Sequence, residues 1–260
     1  MKTNLFLLLA CAIFVCSCEH SHSKKANETE STTTEIAAST NNEQTLNLGK
    51  TFEISESNLP NIAISGTILA YKDNVASGEL VLTEKNTQKV IQKLPFVLNN
   101  GSGGVEECVG VDDFDFDGNM DILVPNGFVN DGTDDDIVYL YNSARKQFLK
   151  NESLSDAVSS SDSYELLPNK KTLITHRNGS SLDDYFDIFK IKNNVACQVQ
   201  WIVEVPQYNE GEEEGEPTLL VVSVQKTECD GEVVGAPKNY KFRPYPNNYK
   251  GEGYYKKYIE

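Results

Sequence analysis

"GELVLTEKNTQKVIQKLPFVL", residues 78–98, is the stretch that decides the fold class. Residues 78–84 read as a strand, Lys85-Asn86-Thr87 as a turn, and residues 88–98 as the returning strand. Apolar runs of this length bounded by turn-forming residues are hairpin signals. The same grammar continues in both directions. Upstream, "NIAISGTILAY" (61–71) alternates and stops near Lys72-Asp73-Asn74. Downstream come the flexible "NNGSGG" (99–104), "VEECVGV", an acidic loop, then "MDILVP" and "DIVYLYN" around the turn-rich "NGFVNDGTDD". "KQFL" follows Tyr141, and residues 153–159 are the one short helical candidate. "KKTLITHR" and "DDYFDIFKIK" flank "NGSSL", and two long strand-like runs follow before "GEVVG". Roughly a dozen short strands without long helical periodicity predict an all-β domain over residues 46–260. It is expected to be a single sandwich or a barrel-like antiparallel sheet. A propeller would carry a copy of the acidic motif in each blade, and only one copy is present.

The acidic loop is "VDDFDFDGNMDILV" (111–124). Asp113, Asp115, Asp117 and Asp121 crowd into it, with Gly118 after the third. Carboxylates this close repel one another unless water or a cation neutralises them. Alternating aspartates in a tight loop direct their oxygens to one centre, which suits a hard cation wanting six to eight oxygens at about 2.3–2.6 Å. The expected ligands are Asp113, Asp115 and Asp117, the main-chain oxygen of Asn119, and Asp121 directly or through water. An EF-hand would need a bidentate glutamate where Val124 stands, and helices where strands are expected. The loop therefore reads as a Ca²⁺ loop of a β protein. Mg²⁺ fits less well because it keeps its waters. Asp131 and Asp134 to Asp136 form a second cluster that either supplies an outer ligand or faces solvent; lacking the two-residue alternation, they are expected to face solvent.

The chain opens "MKTNLFLLLACAIFVCSCEHSHS". Lys2 gives a positive start, and Leu5 to Val15 form an apolar run too short to span a bilayer. Val15-Cys16-Ser17-Cys18 resembles a bacterial lipobox. Residues 1–17 are thus expected to be a lipoprotein signal peptide, with Cys18 as the acylated residue and the lipid as the only membrane attachment. Residues 18–45 are rich in Ser, Thr, Asn and Glu and have no aromatics, so they are expected to be a disordered tether. The expected location is the bacterial envelope, on the periplasmic or surface face of the outer membrane.

The chain carries 39 acidic and 23 basic residues, a net charge of −16, and 39% apolar residues. The charge excludes nucleic acid as a natural partner, because backbone phosphates would be repelled. The apolar content is enough for a core. In an exported chain disulfides persist. "VACQVQWIVEVP" (195–206) and "TLLVVSVQKTEC" (218–229) form a hairpin if the acidic segment between them turns near Glu213. Cys197 and Cys229 then lie opposite each other, either as a bridge or as two buried thiols. Cys108 is left over and expected to be buried. The tail, residues 236–260, carries six basic residues, two acidic ones and seven aromatics. It either packs on its own domain, folding back as an edge strand, or binds a partner or glycan. His176 is the sole histidine of the folded region and is expected on a strand surface. No nucleophile and base stand in catalytic arrangement, so the chain is expected not to be an enzyme.

Three segments together resemble a known family. They are "GELVLTEKNTQKVIQKLPF", "VGVDDFDFDGNMDILVPNG" with "DDDIVYLYNSARKQFLKNESLSD", and "LLPNKKTLITHRNGSSLDDYFDIFKIKNN". Over about residues 75–195 the chain is similar to calcium-binding envelope lipoproteins related to secretion-system immunity proteins, whose β fold is like that of the periplasmic lysozyme inhibitors. The acidic loop also resembles those of FG-GAP repeats. The resemblance implies a binding or inhibitory protein acting on a peptidoglycan hydrolase or another envelope protein. It places the candidate inhibitory loop at Arg177, Ser180 and Ser181, with Tyr185 nearby. The other expectation is a surface module that binds glycan or protein.

Overall fold

The computed structural model describes residues 48–49, 51–54, 59–73, 75–99, 109–128, 134–159, 161–179, 183–208, 217–229, 231–243, 245–246 and 254–259. Among these residues fourteen strands form two sheets. The first sheet comprises β1 (Thr51–Ile54), β2 (Ile62–Lys72), β3 (Val75–Glu84), β4 (Val90–Asn99), β5 (Gly110–Asp112), β6 (Asp121–Phe128), β7 (Asp134–Asn142) and β8 (Gln147–Lys150). The second comprises β9 (Ser163–Leu167), β10 (Thr172–Asn178), β11 (Asp184–Lys192), β12 (Val195–Gln207), β13 (Leu219–Thr227) and β14 (Val233–Phe242). Their spatial orders are β1-β2-β3-β4-β6-β7-β8, with β5 paired to β6, and β14-β13-β12-β11-β10-β9. Pairing is antiparallel except for one parallel contact, Val97 with Asn126, where β4 meets β6. The domain is sandwich-like and not a closed barrel.

Period-2 alternation explains which side chains are inside. Ile64 and Ile68 of β2, Leu80 and Leu82 of β3, and Leu94 and Phe96 of β4 all enter one core. In that core the rings of Phe52 and Phe96 lie over Gly66 and Gly78, where a Cβ would collide with them. The far end of the first sheet folds back on its middle strand β4. The Gln92 side chain hydrogen-bonds both the N–H and the carbonyl of Phe148, linking β4 to β8.

A second core joins the sheets. Leu123, Val138 and Leu140 of β6 and β7 meet Leu173 and Ile191 of β10 and β11 through Leu154 and Val158. The last two belong to α1 (Glu152–Val158), whose Asn151 N-cap accepts from the Leu154 amide at 2.8 Å. Such a side chain satisfies one of the open N–H groups at a helix start.

The third core lies under β10–β14. Ile174, Phe186, Ile188, Ile202, Leu220 and Val222 are capped there by Tyr255 and Ile259 of the C-terminal tail. The tail thus packs on its own domain. Its first part is edge strand β14, and residues Tyr254–Tyr258 return as a 3-10 turn.

Asp135 departs from the solvent-facing expectation. It accepts from Asn126 at 2.6 Å and from Ser159 at 2.5 Å, tying β6 and the end of α1 to β7. The neighbouring Asp131 lies outside the described residues.

Candidate metal centre and partner-binding rim

The acidic loop joins β5 to β6, and its ends are paired through Asp112 and Asp121. Alternation sorts the residues between them. Phe114 is fully buried in the second core, 5.1 Å from the Tyr164 ring, and Phe116 packs against the same core. The interleaved Asp113, Asp115 and Asp117 stay together outside it, with a carboxylate oxygen from each lying within 4.8 Å of the others. Two left-handed positions make the bend, Phe116 at φ 58° and Gly118 at φ 91°. The glycine is suited to that φ, since a Cβ is strained there.

Backbone amides turn inward onto the carboxylates. Asp113 accepts from the Asp117 N–H at 3.0 Å and from Gly118 at 3.0 Å, and Asp115 accepts from Asp117 at 3.1 Å. Asp117 accepts from the backbone and side-chain amides of Asn119 at 2.7 and 2.9 Å. Burial pushes the Asp115 carboxyl up to about 6, with the Asp117 and Asp113 charges adding to it. Burial also pushes Asp121 up to about 7, opposed by the amide it accepts from Tyr141.

Asp121 stands apart from the other three. It is buried and is not in the cluster. One of its oxygens accepts from Phe114 at 2.9 Å and the other from Tyr141 at 2.8 Å. A carboxylate has about four acceptor sites, so these bonds leave capacity for a further partner. The three clustered carboxylates fit a hard cation. Oxygens around one ion at about 2.4 Å lie no more than about 4.8 Å apart, and these three stay within that limit. Asn119 is present in the loop as a donor to Asp117.

The sequence also named Arg177, Ser180, Ser181 and Tyr185. Ser180 and Ser181 lie outside the described residues, as do Cys18 and Cys108. Arg177 and Tyr185 are direct partners across β10 and β11, and the guanidinium carbon sits 5.6 Å from the centre of the Tyr185 ring. The turn beyond them is closed by Gly179 donating to the Asp183 carbonyl at 2.6 Å. They border a groove of about 460 Å³ on the outer face of the second sheet. Sequence reasoning passed over Trp201 and Asp187, which line the same groove. Their signal was available. Gln200, Ile202 and Glu204 point inward, so the chain's one tryptophan must face outward. Asp187 accepts from Gln198 at 2.7 Å. Burial holds its carboxyl above the ordinary range, against the pull of the Arg177 charge.

His176 is paired rather than a simple surface residue. Its Nε2 lies 2.8 Å from Asp184, its ring stacks on Phe186 at 4.8 Å, and Ser163 is 3.5 Å from Nδ1. Cys197 and Cys229 form a disulfide with Cα atoms 4.6 Å apart. The β12–β13 register, from Gln200 opposite Lys226 to Gln207 opposite Leu219, continues to that pair.

No family model matches the chain, and no curated protein matches it. Among solved structures it is similar to a Xanthomonas type IV secretion system related protein. The identity is 19% and the TM-score 0.51, over 75% of this chain and 95% of that one. At that identity the likeness speaks for the fold.

Proposed function

We propose that this protein is a calcium-braced binding protein of the bacterial envelope, lipid-anchored at Cys18, that engages a partner protein through the β10–β11 rim. A peptidoglycan hydrolase is the candidate partner. The observation that carries the reading is Arg177 seated over Tyr185 beside the Trp201 groove. Trp, Tyr and Arg are the residue types that most often dominate binding energy at protein interfaces. Rigid strands hold all three here. The solved relative, a secretion system related protein of Xanthomonas, is compatible with a role in binding. The acidic surface suits a basic hydrolase, since complementary charge speeds encounter.

In this reading calcium is structural. Asp113, Asp115 and Asp117 would hold it, with Asp121 and the main chain of Asn119 as further oxygen sources. The ion would cancel the repulsion of the cluster and fix the loop between β5 and β6. No residue then needs to act as nucleophile or base. The test has two arms. Calorimetric titration with calcium should show saturable binding that is lost in Asp115→Asn. Inhibition of a panel of lysozyme-type hydrolases should be lost in Arg177→Ala and Tyr185→Ala. Absence of inhibition together with binding of cell-wall glycan fragments would instead favour a glycan-binding module, for which the Trp201 groove supplies an aromatic platform.

A further inference from the structure

A recess of about 900 Å³ lies at one end of the first sheet. Three connections meet there: the approach to β2, the β3–β4 turn and the β7–β8 turn. Gly118, Asn119 and Met120 form another wall. The floor is apolar. Ile62, Ile91, Met120 and Phe148 belong to, or pack on, the first core. The rim carries Lys89, Arg145 and Lys146, against the single carboxylate of Glu84, which accepts from Thr87.

On a chain with 39 acidic and 23 basic residues, that ratio is inverted. All three cations are exposed, and among the described residues none is in an ion pair. Asp115 and Asp117 line a separate recess of about 380 Å³.

We propose that this recess is a docking site for an acidic peptide segment, bearing apolar side chains, from a partner protein. The rim cations complement its carboxylates, and the floor takes its apolar groups. The volume falls in the range of ligand pockets, about 300–1,000 Å³. The lining also chooses between anions. Asn61, Asn86 and Gln147 interrupt the apolar surface. Their carboxamides need both donors and acceptors opposite them. A peptide backbone supplies these, and an acyl chain does not. The site is independent of the β10–β11 rim.

The test uses the purified protein and a fluorescein-labelled octapeptide of alternating glutamate and phenylalanine, with a lysine-for-glutamate counterpart. The glutamate peptide should bind saturably, and about tenfold or more weakly when salt rises from about 50 to about 300 mM. Arg145→Glu with Lys146→Glu should weaken binding by about tenfold or more while leaving the melting temperature unchanged, since both residues are exposed turn positions. Arg177→Ala should leave this binding unaltered, which separates the result from the rim reading. The proposal fails if both peptides bind alike, or if the charge-reversed variant binds as the parent does. It also fails if no saturation appears up to about 1 mM peptide, or if only phosphatidylglycerol vesicles are captured.

Discussion

The carboxamide of Gln92 takes both hydrogen bonds that a neighbouring strand would make to Phe148. Its Nε2 donates to the Phe148 carbonyl at 2.8 Å, and its Oε1 accepts from the Phe148 N–H at 2.9 Å. One side chain thereby bridges β4 and β8, which are not strand partners in the sheet order. Phe148 itself is almost wholly buried. Gln92→Ala leaves both groups partly buried without these partners, which costs about 1–3 kcal/mol. The urea midpoint should fall accordingly, and hydrogen exchange at the Phe148 amide should accelerate. Unchanged exchange at that amide would show that the bend does not depend on this clamp.

The acidic loop sets a pH dependence of the metal-free protein. Asp115 and Asp121 are raised to about 6 and about 7 from an ordinary value of 3.8. Between about pH 4 and 7 the folded protein therefore holds more protons than the unfolded chain, and stability falls as pH rises. That contribution is complete below 3.8 and is lost as pH climbs through the folded values. In chelator, the melting temperature should drop across this window. Asp121→Asn should shallow the slope, and millimolar calcium should flatten it. The idea is wrong if parent, variant and calcium-loaded protein share one slope.

The disulfide makes a separate prediction. Cys197 and Cys229 are 32 residues apart, so the link removes a sizeable loop entropy from the unfolded chain, about 2–4 kcal/mol in the chain-entropy picture. Reduction or a paired Cys→Ala change should lower stability by that order, with exchange protection lost first where β12 and β13 meet the bridge. Equal stability of reduced and oxidised protein would mean that the strand ladder alone sets this end of the sheet.

Much of this architecture was legible because strands write their period directly into the sequence. The 78–98 hairpin, the 195/218 hairpin centred near Glu213 and the short helix each follow from local pattern and turn chemistry. The convergence of Asp113, Asp115 and Asp117 follows too, since alternation with Phe114 and Phe116 sends one set inward and leaves the other outside. What remained hidden is nonlocal. Nothing near Gln92 announces Phe148, 56 residues away. Nothing near Asp121 shows that its oxygens are already engaged by the amides of Phe114 and Tyr141. Lys89 and Arg145 look like ordinary turn residues until the curl of the first sheet brings their turns to one recess. Trp201 was readable in face but not in role, because only the β10–β11 pairing places Arg177 and Tyr185 beside it.

The tail offers the sharpest stability test, because Tyr255 concentrates several contacts in one residue. Its ring stacks on Phe186 at 3.8 Å, its N–H donates to the buried Glu204, and its hydroxyl donates to Glu165 at 3.0 Å. Gln200 meanwhile donates to the Tyr258 carbonyl at 2.9 Å. Tyr255→Ala empties a buried aromatic position and should cost about 3–5 kcal/mol. Tyr255→Phe loses only the hydroxyl bond, about 0.5–1.5 kcal/mol. The two differ again in alkali. Burial, then the nearby Glu165 charge, pushes the Tyr255 phenol above its ordinary value. Its stabilising contribution is therefore complete below about pH 10 and is lost as pH rises toward the folded value. Tyr255→Phe has no such proton to lose, so it should resist alkaline melting better than the parent despite being less stable at neutral pH. A crossing of the two stability curves above about pH 10 is the expected result. Parallel curves would mean that the tail lifts from the sheet before the phenol ionises.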